Sequence, residues 1–547
     1  MNLIERASYW RDHDPDPSTK AAITALIDAA HNGDNAASAE LASRFSGPLS
    51  FGTAGLRGEV GAGESRMNRA VVIRATAGLM SWLNTKVSTP TVVIGCDARH
   101  GSADFHRDAA EVISGAGGRA LVLPPQLPTP VTAFTVRALG ADAGIMITAS
   151  HNPPADNGYK VFLGGRVAPD EANGVQIISP ADTEITEHIL AAPPADEVPR
   201  STEHIEPVDI LEQYLERAGE LGTANPLNIV LTPMHGVGGD VATQALRAAG
   251  FSNIHVVEQQ AAPDPDFPTV SFPNPEEPGA LDLSFELAKA VDADVILALD
   301  PDADRCAVAI PTDTGWRQLT GDETGALLGA YLAKRSGGSG TLANSIVSSR
   351  LLSRIAAAHD LEHKNTLTGF KWIARTPDLI FGYEEAIGYC TDPEYVRDKD
   401  GITAAVTMAS LVAELRAQGK TVQDALDDLA RQHGLHATSP LTFRVENLEL
   451  ISKGMATLRA NPPSELAGSE VIEFTDLADG YQGLPGTEGV LIRTAMDDRI
   501  IVRPSGTEPK LKCYLEVVLP VEDEIPTEHA QQRLAQLKED LAAVLNM

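Results

Sequence analysis

The sequence predicts an α/β chain in which a β–α–β pattern restarts three times before giving way to an α+β tail. Three observations carry this. Short apolar runs alternate with amphipathic stretches of helical period, as in parallel sheets covered by helices. In each unit, a loop rich in glycine, proline or charge follows a buried-looking strand. Beyond about residue 440 the apolar positions alternate in twos, as in antiparallel sheets with one wet face.

Asp16-Pro17-Ser18 caps a helix through TKAAITALIDAAHN. TVVIGC (91–96) and RALVLP (119–124) are strands, FHRDAAEVISGAG and PTPVTAFTVRALG are helices, and DAGIMITAS (142–150) is a strand running into a loop, a βαβ order that calls for a parallel sheet. The pattern restarts with NIVLTP (228–233), VATQALRAAG, NIHVVE, LSFELAKAV and DVILAL (294–299). A third round runs TGALLGAYLAKR, TLANSIVSS, LLSRIAAAHD and DLIFGY (378–383). LTFRVENL, VIEFTD, GVLIRTAMDDRIIVRPS and LKCYLEVVL then form the tail. Breaks at the Pro/Glu-rich stretch 192–207, the hydrophilic stretch 311–320 and the region near 434–440 divide the chain into 1–206, 207–316, 317–436 and 437–547.

Hydrophobic residues make up 43% and charged residues 22% of the 547, an ordinary globular balance. No apolar run approaches the roughly 20 residues that cross a bilayer, and the charged N-terminus has no apolar core of a secretory signal. Cys96, Cys306, Cys390 and Cys513 are far apart and form no C-x-x-C pair, so they read as reduced thiols of a cytoplasmic protein. A net charge of −32 repels nucleic acid. It also repels a sugar phosphate, so such a substrate requires basic residues gathered at one place.

Ser150, in Thr148-Ala149-Ser150-His151-Asn152-Pro153, sits where a strand ends, in a loop that Pro153 and Pro154 keep from becoming helix. That suits a nucleophile or phosphoryl carrier, although S-H-N-P alone reads more readily as a turn. Lys160 in NGYKVF is either a proton shuttle or solvated surface. Asp300-Pro301-Asp302-Ala303-Asp304-Arg305 follows the buried strand DVILAL, and three convergent carboxylates call for a hard divalent cation such as Mg²⁺ rather than a solvated loop. An EF-hand is excluded, because Arg305 replaces its glycine and Pro311 stands where its bidentate Glu belongs. Asp264 and Asp266 read as an ordinary turn, and His235 as structural.

Gly369-Phe370-Lys371, Gly382-Tyr383-Glu384-Glu385-Ala386-Ile387-Gly388 and Arg397-Asp398-Lys399-Asp400-Gly401 offer carboxylates for sugar hydroxyls and cations for phosphate or proton transfer. Taken singly, Glu384 and Glu385 equally suit surface. Arg503-Pro504-Ser505-Gly506-Thr507-Glu508-Pro509-Lys510 is a phosphate nest or a tight hairpin turn. Phe51-Gly52-Thr53-Ala54-Gly55-Leu56-Arg57-Gly58 is an anion contact in type but no Walker loop.

In this order, G-T-A-G-L-R-G, T-A-S-H-N-P, D-P-D-A-D-R, G-Y-E-E-A-I-G and R-P-S-G-T-E-P-K resemble the α-D-phosphohexomutase superfamily over about residues 50–515. The resemblance implies four domains around a central cleft, three similar mixed α/β domains and a C-terminal α+β domain. It implies a phosphoserine at Ser150 and one Mg²⁺ per subunit on Asp300, Asp302, Asp304 and the serine phosphate. Arg57, Lys160, Arg305 and Lys399 flank the reacting phosphoryl and help move protons, with the catalytic candidate His151 and Asn152 in the serine loop. Gly369, Lys371 and Glu384 serve the sugar, and Arg503, Ser505, Gly506 and Thr507 the non-reacting phosphate. A sugar 1,6-bisphosphate is the expected activator, and the chain is expected as a monomer or homodimer.

The implied reaction interconverts sugar 1-phosphate and 6-phosphate. Ala386 departs from the E-x-S of many hexose-specific members and loses a hydroxyl contact. The E-E-A-I-G-Y run is more like the branch holding phosphopentomutases and glucose 1,6-bisphosphate synthases beside bacterial phosphoglucomutases. Glucose 1-phosphate is expected first, phosphopentose second and mannose phosphate third. A bisphosphate synthase and a non-catalytic sugar-phosphate-binding protein are the rival readings.

Overall fold

In a computed structural model, all residues are described except 52–54, 224–225, 446 and 506–509. The chain divides into two compact units, Met1–Leu319 with Gly388–Ala413, and Thr320–Ile387 with Glu414–Met547.

The first unit opens with three helices, Leu3–Asp12, Pro17–His31 and Asn35–Arg44. Asp16 caps the second as expected, accepting from Ser18 N at 2.8 Å. Ala7, Ile23, Ile27, Leu41 and Phe45 close a small core between the helices.

A sheet follows in the order Leu56–Glu59, Asp156–Leu163, Ala143–Ile147, Thr91–Cys96, Arg119–Val122, Ile205–Pro207. Its strands from Ala143–Ile147 onward are parallel, with Val92 opposite Ala143 and Cys96 opposite Ile147. Val92 to Cys96 are buried throughout, because helices cover both faces of a parallel sheet. The sheet is mixed, as expected, rather than parallel throughout. Asp156–Leu163 returns antiparallel to Ala143–Ile147, and Leu56–Glu59 is antiparallel to it in turn. Only residues 148–155 separate the two central strands, too few for a parallel crossover of about a dozen residues. That short return leaves Ser150 at the strand exit and brings Lys160 back beside it: Met146 and Lys160 are opposite in the ladder.

The second sheet runs Gly315–Gln318, Cys306–Thr312, Val295–Leu299, Asn228–Thr232, Asn253–Val256. Its last three strands are parallel, and the first two form a hairpin that occupies much of the hydrophilic stretch 311–320. The unit regains the chain at Gly388, where Gly401 N donates to Ala303 O at 3.1 Å. This sets Lys399 near the Asp loop.

In the second unit, Thr341–Ser345 pairs in parallel with Glu362–Thr366 and Leu379–Glu384. The tail is an antiparallel sheet, in the order Leu435–Arg444, Lys510–Leu519, Arg499–Pro504, Val490–Thr494, Ser469–Asp476, Glu465–Leu466. Its edge strand begins at Leu435, opposite Leu519. Alternate residues of Lys510–Leu519 face a core completed by helices Leu448–Ala460 and Thr527–Leu545.

Candidate active site

The buried strand Ala143–Ile147 delivers Ser150 into the interior of the first unit, where the residue is 3% exposed. Ser150 has φ +52°, a left-handed conformation that costs a non-glycine residue about 1–3 kcal/mol unless its surroundings hold it. Ser150 N donates to Thr148 Oγ1 at 2.9 Å. Ser150 Oγ donates to Asp300 Oδ2 at 2.7 Å and lies 3.2 Å from His151 Nδ1.

Strand Val295–Leu299 ends in the three carboxylates, each with an oxygen within 4.8 Å of the others. All three are buried. Asp300 Oδ1 accepts from Arg305 N at 3.1 Å. Asp302 Oδ2 accepts from Lys160 Nζ at 2.7 Å and Thr129 Oγ1 at 2.5 Å. Asp304 Oδ2 accepts from Lys160 Nζ at 2.8 Å and lies 3.2 Å from Lys399 Nζ. Asp302 Oδ1 and Asp304 Oδ1 are buried without a hydrogen-bond donor, the latter with Arg305 Nε 3.7 Å away. A buried carboxylate oxygen in that position costs free energy until a cation or donor meets it. The donor set of three hard oxygen ligands suits a divalent cation of the Mg²⁺ type, and the residues fit one.

Electrostatics separates the carboxyls. Burial, then the charges of Asp302 and Asp304, push Asp300 well above the usual carboxylate range. Burial acts the same way on Asp304, but Lys160, Lys399 and Arg305 outweigh it and hold it far below. Lys160 is lowered by burial and raised more strongly by Asp302 and Asp304, with a net rise. Lys160 is therefore no solvated surface residue: its ammonium is buried against Asp302 and Asp304. Lys399 is raised likewise, Asp304 and Asp398 overcoming burial. Arg57 Nη1 donates to Asn152 Oδ1 at 2.8 Å, and its pKa is lowered by burial and by nearby Arg305. Within a −32 chain, cations thus concentrate around Ser150.

Sequence reading missed Arg99, which follows strand Thr91–Cys96 in Cys96-Asp97-Ala98-Arg99. Its guanidinium donates to four carbonyls of the serine loop: Ser150 O at 2.7 Å, Asn152 O at 2.6 Å, Pro153 O at 2.8 Å and Asp156 O at 3.0 Å. Thr129 was missed too. The available signal was position, since both residues follow a buried strand at its carboxyl end, where open α/β sheets place their sites. Asp264 and Asp266 form the ordinary turn expected, with Asp266 N donating to Asp264 Oδ1 at 2.9 Å. His235 is buried against Thr269 at 2.9 Å.

The second unit gathers the remaining candidates. Strand Leu379–Glu384 ends at Glu384, whose Oε1 accepts from Gly369 N at 2.8 Å. Lys371 lies in the adjoining turn of helix Phe370–Ile373. Arg503, on strand Arg499–Pro504, donates to Thr368 Oγ1, one residue before Gly369. Glu385 accepts from Ser345 and Ser348 hydroxyls at 3.1 and 2.8 Å, so it braces its loop. Ser505 N donates to Lys510 O at 2.8 Å. Gly506 and Thr507 lie outside the described residues.

Four family models match the chain in succession. They are phosphoglucomutase/phosphomannomutase alpha/beta/alpha domains I, II and III over residues 48–194, 210–315 and 320–433, and the C-terminal domain over 459–524. The chain belongs to the phosphoglucomutase/phosphomannomutase family. A Haemophilus influenzae protein named probable phosphomannomutase is 45% identical, over 82% of this chain and 93% of its own. Phosphopentomutase of Mus musculus is 34% identical over 98% and 93%. Phosphoglucomutase of Staphylococcus aureus strain MRSA252 is 33% identical over 88% and 92%. The fold is shared with the open form of the Paramecium phosphoglucomutase parafusin, at TM-score 0.70, 18% identity, and 91% and 95% coverage. As a family member the chain is a sugar-phosphate mutase, an isomerase that works by phosphoryl transfer.

Proposed function

We propose that the chain interconverts the 1- and 6-phosphates of an α-D-hexose, glucose first, carrying the phosphoryl group on Ser150 and one Mg²⁺ on Asp300, Asp302 and Asp304. The observation that supports this most is Ser150 Oγ hydrogen-bonded at 2.7 Å to a carboxylate triad with two buried oxygens unsatisfied. In the forward half-reaction, the phosphorus–Oγ bond of phosphoserine breaks as a phosphorus–oxygen bond forms to the free hydroxyl of a hexose monophosphate. That hydroxyl gives up its proton, and Ser150 Oγ gains one. His151 Nδ1, 3.2 Å from Oγ, is the nitrogen placed to exchange it. The bisphosphate then turns end for end and returns its other phosphoryl to Ser150 by the reverse step.

Bound Mg²⁺ would offset negative charge on the transferring oxygens. Lys160 and Thr129 hold Oδ2 of Asp302, and Lys160 holds Oδ2 of Asp304, so the Oδ1 atoms of both are the ones that would hold the ion. Arg57, Arg305 and Lys399 add positive charge for the phosphoryl group. In the second unit we assign Gly369, Lys371 and Glu384 to the sugar, and Arg503, Ser505, Gly506 and Thr507 to the second phosphate. Four buried, unpaired thiols suit a reducing compartment, the cytoplasm.

The phosphopentose reading keeps one specific support, Ala386 in place of a hydroxyl residue. The test is kcat/KM for glucose, mannose and ribose 1-phosphates with Mg²⁺ and a trace of the matching bisphosphate. Preference for glucose 1-phosphate is expected. Preference for ribose 1-phosphate would make the enzyme a phosphopentomutase, and release of bisphosphate as the main product would make it a synthase.

A further inference from the structure

We propose that Arg99 is the positioning residue of the phosphoryl-carrier loop, the side chain that keeps Ser150 aimed in the strained conformation the transfer needs. This rests on the phosphoserine reading of Ser150. Arg99 is 4% exposed and its guanidinium donates to the carbonyls of Ser150, Asn152, Pro153 and Asp156. Those four oxygens run along the turn between the two central strands, whose own backbone adds Asn152 N to Ala149 O at 3.1 Å and Asp156 N to Pro153 O at 3.0 Å. Ser150 Oγ itself meets Asp300 and His151 instead. The bonds of Arg99 to the loop all reach backbone carbonyls, while its charge also acts on Asp300 and Asp302.

The anchor is itself fixed. Arg99 N donates to Asp97 Oδ1 at 2.9 Å, and Ser102 Oγ donates to the same oxygen at 2.6 Å. The guanidinium carbon lies 5.0 Å from the ring centroid of Phe267, from the second sheet's domain. Arg99 thus ties the serine loop to the domain that carries the Asp loop, in the same unit where Thr129 N donates to Asp302 O at 3.0 Å. A planar fork with five donors can serve four carbonyls and stack on a ring, whereas a lysine ammonium has three donors and no plane. The chemistry demanded is therefore that of guanidinium and not of positive charge alone.

The test compares Arg99→Lys, Arg99→Ala and Ser150→Ala with wild type. Misplacement of a reacting group by about 1 Å costs about 10²-fold in rate. Arg99→Lys is expected to lower kcat by about that factor, with KM for glucose 1-phosphate changed less than about threefold. The rate of Ser150 phosphorylation by glucose 1,6-bisphosphate should fall with it. Low, non-denaturing guanidinium chloride should restore Arg99→Ala by at least about tenfold while methylammonium does not, a response that a purely structural residue would not give. Wild-type kcat in Arg99→Lys, or loss in Arg99→Ala that guanidinium leaves untouched, overturns the proposal. Should Arg99→Ala not fold, Arg99→Lys keeps a cation at the site and decides alone. Ser150→Ala separates the two layers. If it still turns over, the phosphoserine reading itself has failed. If it is inactive while Arg99→Lys is normal, only the role given to Arg99 has.

Discussion

Ser150 and the three aspartates were legible because each follows a continuous apolar run that can only be a buried strand, so their loops had to open at a sheet's carboxyl edge. Arg99 was not. One arginine in Asp97-Ala98-Arg99-His100-Gly101 looks like a solvated turn, and only the folded chain turns four carbonyls toward it. Lys160 was noticed, but its partners lie 142 and 144 residues away, so its burial between carboxylates was not legible. The folded site makes a definite claim about it. Lys160 is buried between two carboxylates, and removing one partner of such a group costs about 3–5 kcal/mol. Lys160→Met should destabilise the first unit by that order in urea unfolding without divalent cation. An unchanged midpoint would show that Asp302 and Asp304 do not depend on it. Ser150→Ala should lower turnover at least about 10³-fold while sugar-phosphate binding persists. Near-normal turnover in a clean preparation would end the phosphoryl-carrier account.

Among elements, those with strong periodicity were readable and those fixed by tertiary pairing were not. Thr91–Cys96 and Val295–Leu299 are buried on both faces and announce themselves by composition. The antiparallel return of Asp156–Leu163 depends on the length of the preceding turn rather than on its own residues. Helix Asn35–Arg44 is alanine-rich with two buried side chains, Ala37 and Leu41, too sparse a stripe to recognise. A buried acid in the second unit supplies a pH test. Asp322, at the start of helix Gly321–Arg335, accepts from Ser349 N at 2.7 Å and Tyr383 Oη at 2.9 Å. Burial nonetheless pushes its carboxyl up to about 6. The folded state then holds this proton more tightly than the unfolded state, whose Asp titrates near 3.9. The stability it confers is present below about pH 4 and is lost as pH rises through about 6. Asp322→Asn should gain on wild type by up to about 3 kcal/mol between pH 4 and pH 7. A difference that stays flat across that range would contradict a raised Asp322.

At the scale of the whole molecule, the strongly acidic composition and the anionic substrate are reconciled by where the cations sit. Arg57, Lys160, Arg305 and Lys399 gather at the buried end of the first unit, beside Ser150 and the aspartates, in a chain of net charge −32. The order of the motifs identified the reaction, but neither it nor the net charge revealed which cations hold the carboxylates. A divalent ion is the remaining part. EDTA should abolish turnover and Mg²⁺ restore it, and Mg²⁺ at about 100 times its Kd should stabilise the folded chain by about 2.7 kcal/mol. Activity indifferent to chelation would remove the metal assignment. The central claim is that Ser150 carries the phosphoryl group, and intact-mass and peptide analysis after incubation with glucose 1,6-bisphosphate and Mg²⁺ tests it most directly. The account predicts one phosphoryl group on Ser150 that is chased into bisphosphate on adding glucose 1-phosphate. An unlabelled chain, or a stable phosphate on another residue, would contradict it.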